Sequence, residues 1–199
     1  MRIVFATQNK GKLIEMRKIL SGFEVLGMED IGIFDDIIED GKTFEENALK
    51  KARFVAERIK DYVIADDSGI CIQALGGAPG VYSARWAGEG ASGEEIVNHT
   101  LKKMEGIQEG KRKAWFETAA VLITPEGEEK VFVGKVDGAI PLTPSGKALP
   151  KLPYDVIFIP DGHDKTFAEI SEEEKNAMSH RGKAFRELKK YLQNEIRRS

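Results

Sequence analysis

Two adjacent carboxylates, Asp66 and Asp67, directly follow the apolar run of residues 62–65. Their like charges repel each other at short distance, and a cation bound beside them relieves that repulsion. Mg²⁺ commonly takes one or two protein carboxylates and completes its coordination shell with water and phosphate oxygens. The pair therefore predicts a divalent metal site. A solvated turn, with Ser68 and Gly69 as turn formers, is the alternative that these residue types leave open.

A second group of polar residues lies between the first predicted strand and the first predicted helix. Thr7 and Asn9 follow the strand, and Lys12 lies in the first helical turn. The free N–H groups and the dipole at a helix N-terminus favour an anion, and a lysine adds a point charge. We expect this corner to hold a phosphate chain. The alternative is that Asn9 only caps the helix and that the lysines face water.

Two more charged residues are candidates for the same site. Glu39, in the acidic loop of residues 35–41, is a further metal ligand if this loop is not simply solvated. Lys51 lies four residues after Asn47, so both side chains occupy one helix face. From that face we expect Lys51 to reach the pocket, whereas an isolated helix lysine usually points into water.

Basic residues also mark the start of the last predicted helix. Arg181 lies where the helix dipole disfavours a positive charge, which indicates that another interaction holds it there. Planar Arg181 and neighbouring His180 both present donors that match the carbonyl edge of a base. Lys175 lies one to two turns earlier. Exposed positions at the helix start are the alternative for all three.

The hydrophobic pattern predicts the elements that position these residues. Strands are expected at 2–6, 23–28 and 62–66. Helices are expected at about 10–20 and after the capping pairs Thr43/Glu46, Ser92/Glu95 and Ser171/Glu174. A hairpin is expected within about 110–140, and an irregular segment at 69–90. Strands that alternate with helices indicate an α/β sheet. We expect a single domain over residues 1–199, with the hairpin and its neighbouring segments as a second lobe.

The composition excludes several classes of function. A single cysteine, Cys71, rules out an intrachain disulfide and a cysteine-rich metal site, and it is expected to be a buried apolar residue. The 33 acidic and 30 basic residues leave no basic surplus for non-specific nucleic-acid binding. No apolar run is long enough to cross a membrane, and the strand pattern directly after Met1 favours a cytoplasmic location.

Five strings extend in order over nearly the whole chain: TQNKGK, TFEENALKKA, ADDSG, LGGAPGVYSARWAG and AEISEEEKNAMSHRG. Together they resemble the inosine triphosphate pyrophosphatase family, enzymes that hydrolyse non-standard purine nucleoside triphosphates. The resemblance implies an α/β fold with a long central mixed sheet flanked by helices, two lobes around a deep cleft, and a homodimer. It also implies Mg²⁺-dependent cleavage of ITP, dITP or XTP to the nucleoside monophosphate and pyrophosphate.

The resemblance further implies a role for each candidate residue. Asp67, with Asp66 beside it, binds Mg²⁺ or activates water, and Glu39 assists the metal. The residues implied to contact the triphosphate are Thr7, Asn9, Lys12 and Lys51, with Ser68 and Gly69 lining the same turn. Those implied to bind the purine are Lys175, His180 and Arg181, and Tyr154 and Asp155 belong to a further substrate-binding motif.

That last motif departs from the family pattern. The family usually has Gly-Phe-Gly-Tyr-Asp-Pro, whereas this chain has Lys-Leu-Pro-Tyr-Asp-Val at 151–156. Leu152 replaces the aromatic that stacks on the base, so we expect base stacking either to be weaker or to come from another aromatic such as Trp86 or Tyr154. Two alternatives stay open: a related pyrophosphatase for pyrimidine or modified nucleotides, and a non-catalytic nucleotide-binding protein.

Overall fold

The computed structural model describes residues 1–149 and 152–198, and for Arg198 the backbone alone. The strands are β1 (Arg2–Phe5), β2 (Glu24–Gly27), β3 (Tyr62–Ile72), β4 (Lys113–Ile123), β5 (Glu129–Ala139) and β6 (Ile159–Pro160). The helices are α1 (Lys10–Ile19), α2 (Phe44–Ala56), α3 (Gly93–Lys103), α4 (Glu172–Met178) and α5 (His180–Arg198). In this part of the chain, no helix combines the length and the apolar character needed to span a bilayer.

The strands form a mixed sheet in the order β2-β1-β3-β4-β5-β6. β1 pairs in parallel with both β2 and β3, and β5 pairs antiparallel with β6. β1 and the part of β3 that pairs with it are apolar on both faces because helices cover both sides of such a sheet. The predicted α/β fold with a mixed sheet and flanking helices is confirmed.

The chain forms two compact units. The first contains Met1–Asp67, Thr118–Gly134 and the segment from Arg181 onward, and the second contains Ser68–Glu117 and Lys135–His180. The β4–β5 hairpin therefore contributes its turn end to the first unit and its other end to the second. A single domain with the hairpin in a second lobe stays a prediction.

The first unit buries apolar side chains on both faces of its strands. One face packs against α1 and α5. Its strand residues are Ile3, Phe5 and Ile64, and their partners are Met16 of α1, Leu20 at the C-cap of α1, and Phe185 and Leu188 of α5. The other face packs against α2, where Val4, Val63 and Ala65 contact Ala48, Ala52 and Val55. Successive strand side chains point to opposite faces. Asp66 is therefore in register with the α1 and α5 face, and Asp67 with the α2 face.

The second unit has a core of its own. Phe116 packs edge-on against Phe158, with ring centroids 4.7 Å apart, and is stacked parallel to Phe167. Residues of α3, among them Ile96 and Val97, belong to the same apolar cluster. The capping box predicted for this helix is present, since the Ser92 side chain accepts from the Glu95 N–H and the Glu95 carboxylate accepts from the Ser92 N–H.

The predicted end of β3 at residue 66 is wrong. The strand continues through both carboxylates and through Ser68 and Gly69 to Ile72, so the solvated turn is not formed. Ile70 and Ile72 are fully buried β-branched residues that favour the extended backbone. Burial of these two side chains explains why the strand extends past the polar residues.

Cys71 lies in this extension, and we expect it to be unreactive towards Ellman's reagent at pH 7.5. Its residue is 8% exposed, and burial, with the nearby Glu117 charge, raises the pKa of its thiol to about 11. Because the thiolate is the reacting species, less than a tenth of a thiol per chain should react in native buffer within minutes. Unfolding in guanidinium is the control and should release one thiol. Full reaction of the folded protein would contradict this expectation.

Candidate functional site

The start of α1 is organised by Asn9, the N-cap residue. Its Oδ1 accepts hydrogen bonds from the backbone N–H groups of Gly11 and Lys12 at 3.0 and 3.2 Å, and Thr7 Oγ1 accepts from the Asn9 N–H at 3.1 Å. The capping role considered for Asn9 is therefore observed, and two of the helix-start N–H groups are bonded to it. Phosphate contacts by Thr7 and Asn9 stay a prediction.

Asp66 is the buried centre of an ionic cluster between α1 and α5, and the cluster's other members are partly exposed. The Nζ atom of Lys12 lies 3.0 Å from both carboxylate oxygens of Asp66, and Arg181 Nε lies 3.2 Å from its Oδ2. Arg181 Nη1 donates in addition to Glu15 Oε2 at 2.9 Å. Glu15 was missed in the sequence, although its position three residues after Lys12 places both on one helix face.

The cluster is held together by opposite charges around a carboxylate that solvent hardly reaches. Asp66 is only 1% exposed. Burial alone raises the pKa of the Asp66 carboxyl, but the positive charges of Lys12 and Arg181 outweigh burial and hold that pKa well below its usual range. Burial also lowers the pKa of the Lys12 ammonium, an effect that Asp66 opposes. Asp66 is therefore an ionised counter-charge for two cations.

Asp67 has a different environment on the α2 face. Asn47 Nδ2 donates to Asp67 Oδ2 at 2.9 Å, and Lys51 Nζ lies 3.1 Å from Glu39 Oε2. Burial raises the pKa of the Asp67 carboxyl; the charge of Glu39 adds to this effect, and Lys51 opposes it. Glu39, Lys51 and Asp67 thus form one group. Asn47, which contacts Asp67, was missed in the sequence as a site residue.

The two carboxylates of this group fit a metal that arrives with phosphate. Among residues 1–149 and 152–198, no three His, Cys, Asp or Glu side chains form a cluster that can hold a metal alone. Glu39 and Asp67 are hard oxygen donors, and the charge of Glu39 contributes to the raised pKa of the Asp67 carboxyl. Two carboxylates are a donor set that Mg²⁺ uses when water and phosphate oxygens complete its shell.

The residues expected at the purine lie mostly in the second unit. Lys175 on α4 forms an ion pair with Asp155, which is 4% exposed. His180 is stacked on Phe116, with ring centroids 4.8 Å apart and an angle of 11° between the planes. Phe116 was missed in the sequence because its strand pattern marks it only as a core residue. Arg181 belongs to the first unit and to the Asp66 cluster.

The two aromatic residues expected to replace the stacking side chain are both engaged. Tyr154 is 5% exposed, and its hydroxyl donates to the backbone oxygen of Ser83 at 2.8 Å. The Trp86 ring packs edge-on against His99, and its buried Nε1 has no hydrogen-bond partner in the described part of the chain. Substrate contact by Tyr154 stays a prediction that its burial does not favour. Leu152 is partly buried, and Lys151 lies outside the described residues.

The chain is similar to known proteins over nearly its whole length. A sequence model of the Ham1 family matches residues 3–191. A dITP/XTP pyrophosphatase from Caldanaerobacter subterraneus subsp. tengcongensis is 46% identical over 196 residues, and one from Bacillus subtilis is 43% identical over 192 residues; both alignments cover 96% of each chain.

Solved structures agree with these matches. The Staphylococcus aureus Ham1 protein has a TM-score of 0.89 at 38% identity, covering 98% of this chain and 100% of that one. A HAM1 protein from Coxiella burnetii has a TM-score of 0.89 at 36% identity, covering 98% and 99%. The family resemblance found in the sequence motifs is confirmed.

Proposed function

Because this chain belongs to the Ham1 family, we propose that it is a metal-dependent nucleoside triphosphate pyrophosphohydrolase. Its proposed substrates are the non-standard purine nucleotides ITP, dITP and XTP, and its products are the nucleoside monophosphate and pyrophosphate. The observation that carries the proposal is the pairing of two charge groups at adjacent positions of β3. Asp66 forms ion pairs with Lys12 and Arg181. Asp67 interacts electrostatically with Lys51 and Glu39, which are themselves an ion pair.

Mg²⁺ is the proposed metal. Glu39 and Asp67 are the residues that would hold it, in line with the two-carboxylate donor set. When bound, the metal supplies positive charge to the phosphate oxygens and acidifies a coordinated water. Asp66 and Asp67 are directed to opposite faces of β3, which supports different duties for the two carboxylates.

The protein side chains have distinct duties in this reaction. Lys12 and Lys51 bind the phosphate chain as cations. Each ammonium group gives up part of its ion pair with a carboxylate and contacts a phosphate oxygen instead. Asp67 orients the attacking water and accepts its proton as the water oxygen bonds to phosphorus, the bridge between the α and β phosphates breaks and pyrophosphate leaves. Asp66 keeps Lys12 and Arg181 in place. Preorganised charge of this kind is usually the largest contribution to rate.

Purine selectivity is expected from donors that match a 6-oxo group. Lys175, His180 and Arg181 are the proposed donors, and Thr7, Asn9, Ser68 and Gly69 complete the proposed contacts near the phosphates. Asp155 supports this set through its ion pair with Lys175. An amino group at the same position of adenine leaves a donor unpaired, which costs about 1–3 kcal/mol.

The test is pyrophosphate release from ITP, XTP, GTP, ATP, UTP and CTP, with Mg²⁺ and with EDTA. We expect kcat/KM for ITP and XTP to exceed that for ATP by about one to two decades, the factor that corresponds to the free-energy cost of one unpaired donor. Release should stop with EDTA. Equal values for ITP and ATP would reject the 6-oxo selectivity.

Leu152 motivates the second candidate, a pyrophosphatase for pyrimidine or modified nucleotides, and a preference for UTP or CTP would favour it. Tight nucleotide binding without pyrophosphate release would favour a non-catalytic binding protein. A homodimer and a cytoplasmic location belong to the same proposal. Light scattering tests the dimer and should give twice the mass of a single chain.

A further inference from the structure

Asn47 is a polar side chain in the buried face of α2, with 1% of its surface exposed. Asparagine is a poor residue for a helix interior, and a buried amide is costly unless both of its ends are hydrogen-bonded. The four other buried residues nearest to it on this helix face are Phe44, Ala48, Lys51 and Ala52. The burial of this amide therefore depends on the partners that bind its two ends.

Both ends of the Asn47 amide are bonded, each to a different part of the site. Oδ1 accepts from the backbone N–H of Gly41 at 2.8 Å, and Nδ2 donates to Asp67 Oδ2 at 2.9 Å. The Gly41 N–H can only donate, and an ionised Asp67 can only accept. These two partners therefore determine which way the amide points.

Gly41 ends the loop that carries Glu39, and the loop approaches α2 very closely there. A Cβ atom at residue 41 would lie 2.6 Å from Asn47 Oδ1 and 2.8 Å from the Cβ of Glu46. The contact therefore requires glycine. Glu39, two residues earlier, forms its ion pair with Lys51, one helical turn after Asn47.

We propose that Asn47 is a positioning residue that sets the spacing between Glu39 and Asp67. Its amide oxygen holds the end of the Glu39 loop, and its amide nitrogen holds one oxygen of Asp67. The inference rests on the proposed function, which assigns these two carboxylates to the metal. Residues that orient metal ligands typically change metal affinity or activity by about 10–100-fold when they are replaced.

The chain offers a matched control in Glu46. Its carboxylate accepts from the Lys42 N–H at 2.6 Å, so it ties the same loop to the same helix at an exposed position without a contact to Asp67. Asn47→Leu removes both amide bonds at similar volume, and Asn47→Ser is a smaller polar change. Glu46→Ala removes only the tether.

Two measurements test whether the Asn47 variants bind Mg²⁺ more weakly. The first is the Mg²⁺ concentration for half-maximal ITP turnover, with kcat and KM determined at limiting and saturating Mg²⁺. The second is calorimetric binding of a non-hydrolysable α,β-methylene analogue of ITP, with Mg²⁺ and with EDTA, which requires no turnover. For both Asn47 variants we expect half-saturation to rise about 10–100-fold. We also expect the Mg²⁺-dependent gain in analogue affinity to fall, with binding in EDTA unchanged.

Glu46→Ala should keep the Mg²⁺ dependence of the wild type. Asn47 variants with wild-type half-saturation and a wild-type gain in analogue affinity would overturn the inference, as would an equal loss in Glu46→Ala. If circular dichroism shows that Asn47→Leu does not fold, Asn47→Ser decides. Failure of the proposed function is a separate result, because the wild type itself would then release no pyrophosphate from any nucleotide.

Discussion

Asp67→Asn is expected to lower kcat for ITP hydrolysis by at least about 10²–10⁴-fold, the usual contribution of a general base. The amide neither accepts the proton of the attacking water nor supplies a charged metal ligand. Folding should persist, because Asn47 Nδ2 still finds an oxygen acceptor at this position and the variant removes a charge that burial makes costly. Steady-state kinetics and a thermal melt measure the two effects.

Asp36→Asn is the control for this variant, since Asp36 is an exposed carboxylate of the same acidic loop as Glu39. It should keep the wild-type kcat. Near-normal ITP hydrolysis by Asp67→Asn would remove Asp67 from the proposed chemistry, whereas loss of activity accompanied by unfolding would contradict its neutral effect on the fold.

Asp66→Asn is expected to reduce the free energy of unfolding at pH 7 by about 3–5 kcal/mol, the usual cost of removing one partner of a buried ion pair. Lys12 and Arg181, both only partly exposed, would then lie close together without their common counter-charge. Urea denaturation followed by circular dichroism measures the loss. Part of it should return in the double variant Lys12→Met/Asp66→Asn, in which one of the two cations is also removed.

The pH dependence of this difference has a definite sign. The folded protein holds the pKa of Asp66 below its ordinary value of 3.8, so the stabilisation is fully present above that value. As the pH falls below it, the unfolded chain binds the proton first and the difference between wild type and variant shrinks. Asp40→Asn, at an exposed ion pair with Lys50, is the control and should leave the free energy of unfolding nearly unchanged. A similar loss in both variants would contradict the role of Asp66.

The sequence by itself determined the local elements and the family. Asn9 starts α1, Thr43 starts α2 and Ser92 starts α3, as their capping patterns predicted. Such signals are readable because an N-cap and the amide that it accepts from lie two or three residues apart. The five motifs needed no structure either, since their order along the chain is itself specific.

Only the tertiary structure decided how the two carboxylates differ. The sequence pattern predicts a strand over 62–66, yet β3 continues for six residues beyond Asp66 because Ile70 and Ile72 are buried in the second unit. With the strand continuous, Asp66 and Asp67 point to opposite faces. One therefore meets Lys12 and Arg181, and the other meets Asn47.

These partners lie far away along the chain. Lys12 is 54 residues from Asp66, Arg181 is 115 residues from it, and Asn47 is 20 residues from Asp67. A sequence pattern reports on neighbours within a few residues, whereas these contacts depend on which helix covers which face of the sheet. The residue types of the site were therefore readable in advance, but the division of charge between Asp66 and Asp67 required the packed helices.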